Sequence, residues 1–448
     1  SAINEGNTPL TDIDSIIHGT TVTTNALLER KISSCGLITT RGFRDSLELG
    51  RRTRPNPYGL IGNFECLIPR EKRLETTERM NADGEIIVPL DEEEVRVAAK
   101  LLLEMGVESV VIHFLHSYIN DSHEARAKEI VSEVWPNNFI TCGSAVMAEY
   151  REYERGTTGM INASIQPVLD RYIHRLRDEL KIKGYGHDLL VMQGNGGTIS
   201  SKIISKMAVN TVMSGPASGV IAAAYTATVS GYPNVITCDM GGTSCDVGLI
   251  KEGVPQVSTE LEIEYAMPIH VPMVDVRTIG AGGGSIAQIS AAGILEVGPE
   301  SAGAVPGPIC YGRGGKSPTI TDANMVMGRL NPAMMVSSEV SLEDVATILN
   351  EKIAKPLNLS NAEEAAAAII HIANNKMAGA LRIVSLARGH DPRDFALFPF
   401  GGAGPLHASA LARELGLPKV LIPARPGITN AVGCTVADVR HDYVNTIN

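Results

Sequence analysis

A layered α/β fold is predicted by three observations on this 448-residue chain. Helix and strand signals alternate along it, an apolar hairpin encloses a glycine turn with an acid on each side, and a later strand runs through a glycine cluster into a helix. The alternation implies parallel strands joined by crossover helices. The first clear helix opens at Leu90-Asp91, with Glu94 at capping-box spacing, and runs to Met105 before Gly106 stops it. Val107 to Phe114 reads as a buried strand and Ser122 to Val134 as the next helix. Thr158 to Leu180, and Asn361 to Arg388 closed by Gly389, read as long helices. Between them, the Gly and Pro density from Gly280 to Gly315 marks a long irregular stretch, which inside a compact domain is usually functional or mobile.

The segment Val235 to Ile250, VITCDMGGTSCDVGLI, carries the sharpest chemistry. Val235-Ile236-Thr237 and Val247-Gly248-Leu249-Ile250 are expected to pair across Gly241-Gly242-Thr243-Ser244, where missing side chains let backbone N–H groups approach an anion. Asp239 and Asp246 then stand at the mouth of the turn, where a carboxylate suits a Mg²⁺ that keeps most of its waters. The Thr243 and Ser244 hydroxyls can meet phosphoryl oxygens. An ordinary hairpin with a flexible turn is the competing reading, since glycine, Asp and Ser are common in turns for conformational reasons alone. A second cluster, Gly401-Gly402-Ala403-Gly404, joins a strand-like run from Phe395 to Phe400 onto a helix from Pro405 to Leu415. Pro405 fits the first turn of that helix and Gly416 its stop, and the glycines would let an adenine or ribose lie against the backbone. Alone it reads rather as a tight βα loop; beside the acidic hairpin it reads as a nucleotide cradle.

Composition narrows the class. Hydrophobic content of 44% and charged content of 20% are globular values, and the length calls for two or three domains. A net charge of -11 opposes general attraction to nucleic acid. No apolar run reaches the roughly 18 residues of a membrane span, and the polar N-terminus lacks the features of a signal peptide, so a cytoplasmic location is expected. Seven cysteines without a Cys-x-x-Cys argue against a disulfide framework or zinc knuckle, and Cys238 and Cys245 read as packing residues.

Other candidates carry two readings each. His18, before Gly19-Thr20-Thr21, could contact substrate or phosphate while the threonines cap a helix from Thr24 to Arg30; a hydrogen-bonded structural role competes. Gly280-Ala281-Gly282-Gly283-Gly284-Ser285 lacks the dinucleotide spacing and reads as a phosphate-facing turn or a plain chain reversal. Asp275 could add a carboxylate to the cleft or be a capping or surface acid. Arg51-Arg52-Thr53-Arg54 could bind an anionic group or pair with acids such as Glu48. His113 and His116, three apart on a strand, point to opposite faces and cannot share a metal unless the strand has ended. Glu152 and Arg155 most simply belong to a solvated charged stretch.

The hairpin and the later glycine turn together resemble the actin-like, Hsp70-like and sugar-kinase-like ATPases. More closely, the chain resembles the hydantoinase A family. The likeness rests on His18-Gly19-Thr20-Thr21 running into Asn25-Ala26-Leu27-Leu28-Glu29-Arg30-Lys31, then Gly42-Phe43-Arg44-Asp45 and Ser214-Gly215-Pro216-Ala217. It continues through the hairpin, Gly303-Ala304-Val305-Pro306-Gly307-Pro308, Thr321-Asp322-Ala323-Asn324, Arg388-Gly389-His390-Asp391-Pro392-Arg393 and Ala437-Asp438-Val439-Arg440. The resemblance implies an α/β, actin-like two-lobed ATPase of the ribonuclease H-like kind, with mixed sheets flanked by helices. It divides the chain into an N-terminal domain, 1–158, and an ATPase domain, 159–448.

The family implies ATP-dependent activation of a carbonyl compound: a cyclic amide such as a hydantoin, 5-oxoproline or a lactam, or a ketone destined for carboxylation. On this reading Asp239 and Asp246 position Mg²⁺ and the attacking oxygen, and Gly241, Gly242, Thr243 and Ser244 bind phosphate. Gly282, Gly283 and Gly284 face phosphate, Gly401, Gly402, Ala403 and Gly404 hold adenosine, and His18 contributes to catalysis. Ring opening is associated with a B-type subunit, so a hetero-oligomer is expected. The family pattern calls for a further Asp-x-Gly-Gly-Thr hairpin before His18, where only Ser1 to Ile17 stand, and for more chain after Arg440. The reading is therefore of a piece lacking its first phosphate motif, expected to fall short of full ATPase activity. A ketone-carboxylase subunit and a nonenzymatic nucleotide-gated module are the alternatives.

Overall fold

The computed structural model describes residues 9–51, 58, 65–334, 340–444 and 446. They form two compact units, the first from residues 1–215, 257–273 and 437–448, the second from 216–256 and 274–436.

In the first unit, β1 (Ile16–His18) leads into α1 (Val22–Leu28), and β2 (Cys35–Thr40) and β3 (Arg73–Thr76) precede α2 (Glu92–Glu104). Then come β4 (Ser109–His113), α3 (Ser122–Val134), β5 (Ile140–Cys142) and the 31-residue α4 (Glu152–Ile182), followed by β6 (Leu189–Met192) and β7 (Thr198–Ser200). Strands β3-β2-β4-β5 form a wholly parallel sheet, as the helix–strand alternation requires. Strand β1 pairs in parallel with β6, and β7 returns antiparallel. Apolar side chains of α2, β4 and α3 make one core: Val95, Leu102, Val110, Ile112 and Ile130 are fully buried. Each contributes roughly 1.5–3 kcal/mol by leaving water.

Three expectations change here. Asp91 does cap α2, its Oδ1 accepting from the N–H groups of Glu93 and Glu94. The reciprocal half of the capping box is absent, because the Glu94 carboxylate accepts from Thr77 N at 2.6 Å and from Arg41 at 2.5 Å. Helix α1 begins at Val22, two residues early; Thr21 makes no side-chain cap, and Thr20 Oγ1 accepts from Val22 N instead. Helix α4 begins six residues before Thr158, and its first turn is not a solvated charged stretch. Arg155 is fully buried: its guanidinium donates to the carbonyls of Glu149, at 2.6 Å, and Phe114, at 3.2 Å, and pairs with Glu152. These bonds fasten the start of α4 to the segment leaving β4.

In the second unit, most of α5 (Ser214–Val229) precedes the hairpin β8 (Val235–Met240) and β9 (Cys245–Lys251). Next come β10 (Val254–Pro255), β11 (Val276–Ile279), β12 (Ser285–Ile289) and β13 (Leu295–Ser301), then α6 (Ile320–Val326), α7 (Leu342–Leu349) and α8 (Ala362–Val384). Strand β14 (Ala396–Phe400), α9 (Gly404–Leu415), β15 (Lys419–Val420) and α10 (Thr429–Val436) complete it. The sheet runs β10-β9-β8-β14-β15, with β11 also on β9, and is mixed: β8 is antiparallel to β9 and parallel to β14. Helix α8 supplies the core, burying Ala366, Ile369, Ala373, Met377 and Leu381 at helical spacing. It ends at Val384 rather than Arg388; a single 3₁₀ turn follows, stopped by Gly389 at φ 80°.

Arg155→Leu is expected to lower stability by about 3 kcal/mol, the lower end for breaking a buried ion pair because Glu152 keeps some solvent contact. An unchanged thermal midpoint would refute this account of α4.

Candidate functional site

Strands β8 and β9 pair as their apolar residues require, Val235 with Ile250, Ile236 with Leu249 and Thr237 with Gly248. That register sets Asp239 directly opposite Asp246, with the Met240–Cys245 pair between them and the 241–244 turn. Gly241, Gly242 and Thr243 are exposed, and the turn is closed by Gly241 N donating to Ser244 O at 3.1 Å.

Strand β14 lies on the other side of β8 with Phe400 beside Asp239, so the 401–403 turn starts next to that carboxylate. Gly401 has φ 77° and its Cα faces Asp239 Oδ1 and Met240 O; a Cβ would clash with both. Ala403 N donates to Met240 O at 2.9 Å, and α9 begins at Gly404 with Pro405 in its first turn. The parallel pair thus brings the acidic hairpin and the second glycine turn to one edge. Between them lies a cavity of about 270 Å³, lined among others by Gly241, Gly242, Gly402, Ala403, Tyr311 and Leu330.

The 280–284 turn docks on the same hairpin. Gly283 N donates to Gly241 O at 2.9 Å, Gly284 N to Gly242 O at 2.6 Å and Gly282 N to Ser285 Oγ at 2.9 Å. These three amides are engaged within the protein, so the turn buttresses the hairpin while Gly283 reaches the cavity wall.

Burial raises the pKa of Asp239, an effect that a hydrogen bond from Asn430 Nδ2 at 3.1 Å partly offsets. Asp246 is pushed up to about 6 by burial and by the Asp239 charge, against a bond from Thr278 Oγ1 at 2.5 Å. Asn430, in the first turn of α10, was not singled out by sequence, and no residue pattern around it signals a carboxylate partner. Two facing carboxylates held by neutral donors suit a divalent cation that retains water ligands. Among the described residues no group of three or more His, Cys, Asp or Glu side chains is arranged to hold a metal.

The remaining candidates resolve differently. His18 belongs to the first unit, where its Nε2 meets Tyr172 OH at 2.8 Å and burial lowers its pKa. Asp275 is neither cap nor surface acid: it is buried and paired with Arg388. Arg51 pairs with Glu154 at 2.7 Å and Glu260 at 2.8 Å, whereas Glu48 takes Arg73; Arg52 to Arg54 lie outside the described residues. Strand β4 ends at His113, so the opposite-face argument does not reach His116. Cys238 and Cys245 are buried packing residues, their sulfurs 3.5 Å apart. Another cavity, of about 310 Å³, lies in the first unit; its amides are satisfied internally, Gln193 on Arg440 O and Asn195 on Asp442.

An Asp whose pKa rises from 3.8 to about 6 on folding holds its proton more tightly folded than unfolded, so its contribution to stability falls as pH climbs through that window. Asp246→Asn is therefore expected to raise the thermal midpoint of the ligand-free protein at pH 8 and to leave it nearly unchanged at pH 4. An equal gain at both pH values would show that charge is not the cause.

Residues 1–135 match the family model for the hydantoinase/oxoprolinase N-terminal region, and residues 155–443 that for hydantoinase/oxoprolinase. The chain is 41% identical to caprolactamase subunit alpha of Pseudomonas jessenii, over 99% of its own length and 64% of that protein. With 5-oxoprolinase 1 of Arabidopsis thaliana it shares 33%, over 97% of this chain and 37% of that one. The crystal structure of the ATP-dependent caprolactamase from P. jessenii superposes with a TM-score of 0.85 at 40% identity, over 96% of this chain and 63% of that one. Nucleotide-free acetone carboxylase gives 0.81 at 30% identity, over 96% and 62%. The chain thus spans about two thirds or less of each relative. Among the described residues no single helix is long and apolar enough to cross a membrane. By these matches the chain belongs to the hydantoinase/oxoprolinase family, on an α/β fold of the actin-like ATPase type.

Proposed function

We propose that this chain is the ATP-using, A-type subunit of an enzyme that phosphorylates a cyclic amide to drive ring opening with a B-type partner. The observation that carries this reading is the Asp239–Asp246 pair facing across the 241–244 turn, with the Gly401 turn against Asp239. Family membership and the likeness to an ATP-dependent caprolactamase support it.

Amide resonance protects a lactam carbon from water, and phosphorylating the amide oxygen removes that protection. The oxygen attacks the γ-phosphorus, an O–P bond forms, and the bond to the departing ADP breaks. Water then adds to the activated carbon and the carbon–nitrogen bond opens, the ring nitrogen taking a proton and the carbon keeping the phosphate as an acyl phosphate. A second water displaces phosphate from that carbon and leaves the open-chain acid. In this scheme the amides and hydroxyls of 241–244 hold the phosphates, Gly402 and Ala403 flank the nucleoside, and Asp239 and Asp246 would hold Mg²⁺. When bound, that ion supplies neutralisation of phosphate charge. Similarity to acetone carboxylase supports a second reading, a subunit of a ketone carboxylase.

Phosphate release from ATP by the full-length protein with its B-type partner, measured with hydantoin, 5-oxoproline, a larger lactam, and acetone plus bicarbonate, decides between them. Stimulation by a cyclic amide is expected; stimulation by the ketone mixture alone would move the protein to the carboxylases. Gly401→Ala is expected to weaken ATP binding at least tenfold in calorimetry, since its Cβ meets Met240 O at 2.5 Å in a left-handed conformation. Unaltered ATP affinity would remove that turn from the nucleotide site.

A further inference from the structure

We propose that Asn430 is a positioning residue for Asp239, fixing the carboxylate through its Nδ2 for phosphoryl transfer. The inference rests on the ATP-dependent reading of the hairpin given above.

Asn430 stands in the first turn of α10, and its Nδ2 donates to Asp239 Oδ2 at 3.1 Å. Its Oδ1 is buried and accepts no hydrogen bond from the described residues. A buried amide oxygen without a donor is unfavourable. Flipping the amide does not relieve this, because it would turn Oδ1 onto the carboxylate, oxygen against oxygen. The orientation is therefore dictated by Asp239, and the unpaired carbonyl is the cost of holding that acid.

Packing closes the other directions. A Cβ on Gly219 of α5 would sit 2.5 Å from Asn430 Oδ1 and 2.6 Å from the Phe400 ring, so α5 approaches the amide only because residue 219 has no side chain. Across the carboxylate, a Cβ on Gly401 would clash with Asp239 Oδ1. Asp239 thus has a donor on one oxygen and, beside the other, no room for a side chain at 401. The donor is neutral, so it orients the carboxylate without cancelling the charge a cation would need. A Lys or Arg at 430 would compete for that charge.

The test uses the full-length protein with its B-type partner. Asn430→Ala is expected to lower kcat of carbonyl-stimulated phosphate release by about 10–100-fold, the effect of a misplaced reacting group, with ATP affinity within about threefold of wild type. Asn430→Asp, which keeps the shape but replaces the donor by a second carboxylate, is expected to lose more. Gly219→Ala, which displaces the amide while leaving it in the chain, is expected to follow Asn430→Ala. A kcat within twofold of wild type for Asn430→Ala, or a loss of ATP affinity that accounts for the whole fall in kcat/KM, would overturn the proposal. Crystal structures of the ligand-free wild type and Asn430→Ala give a readout independent of turnover: Asp239 is expected to leave its rotamer in the variant, and an unmoved carboxylate would overturn the role. Silence of the wild-type complex toward every carbonyl compound would sink the proposed function instead, and the crystallographic comparison would still decide the positioning.

Discussion

Strand β14 runs parallel to β8 in a register that sets Phe400 beside Asp239, and the rest of the second unit's candidate site follows from that alignment. Because the strands are parallel, the chain leaves both at the same end of the sheet, where α/β folds gather their ligands. One exit is the 241–244 turn, the other the 401–403 turn. Space between them is small enough that residue 401 must lack a side chain and take a left-handed conformation. A slip of one residue in the β8–β14 pairing would turn Asp239 to the other face of the sheet and separate carboxylate from turn.

Electrostatics at this edge differ from those elsewhere in the same unit. Asp275 is buried and neutralised by Arg388, an arrangement that serves the fold and leaves no charge to spare. Asp239 and Asp246 face one another, each receiving a hydrogen bond from an uncharged side chain, Asn430 and Thr278. Facing carboxylates repel and their burial is unfavourable, so stability alone gives no reason to keep them. The unit's stability is better sought in the buried apolar cluster around α8.

Much of this was legible in the sequence, for identifiable reasons. The β8–β9 register follows from β-branched runs flanking a glycine pair, and α9 from Pro405 and Gly416 at its two ends. Helix α3 has the bounds its polar start and apolar spacing indicated. What failed to show depends on contacts distant in sequence. Glu94 has capping-box spacing yet bonds to Thr77, and Arg155 looks like a surface residue until its acceptors at Phe114 and Glu149 are brought to it. Asn430 is separated by 191 positions from the carboxylate it holds, and no local pattern carries that distance. Thr278 reaches Asp246 only because β11 pairs with β9.

The 280–284 turn has a wider meaning through the two hydrogen bonds it donates to Gly241 and Gly242. Free glycine loops wander among many conformers, and an anion that orders one gives up roughly 1–2 kcal/mol for each residue it immobilises. Here the loop's carbonyls are clasped by a second glycine turn, itself bonded through Gly283 O to Thr321 at the start of α6. Ordering is thereby completed when the protein folds, before any ligand arrives. On the proposed reading such a hairpin would act as a gauge rather than a wrap and would select its anion by size and shape.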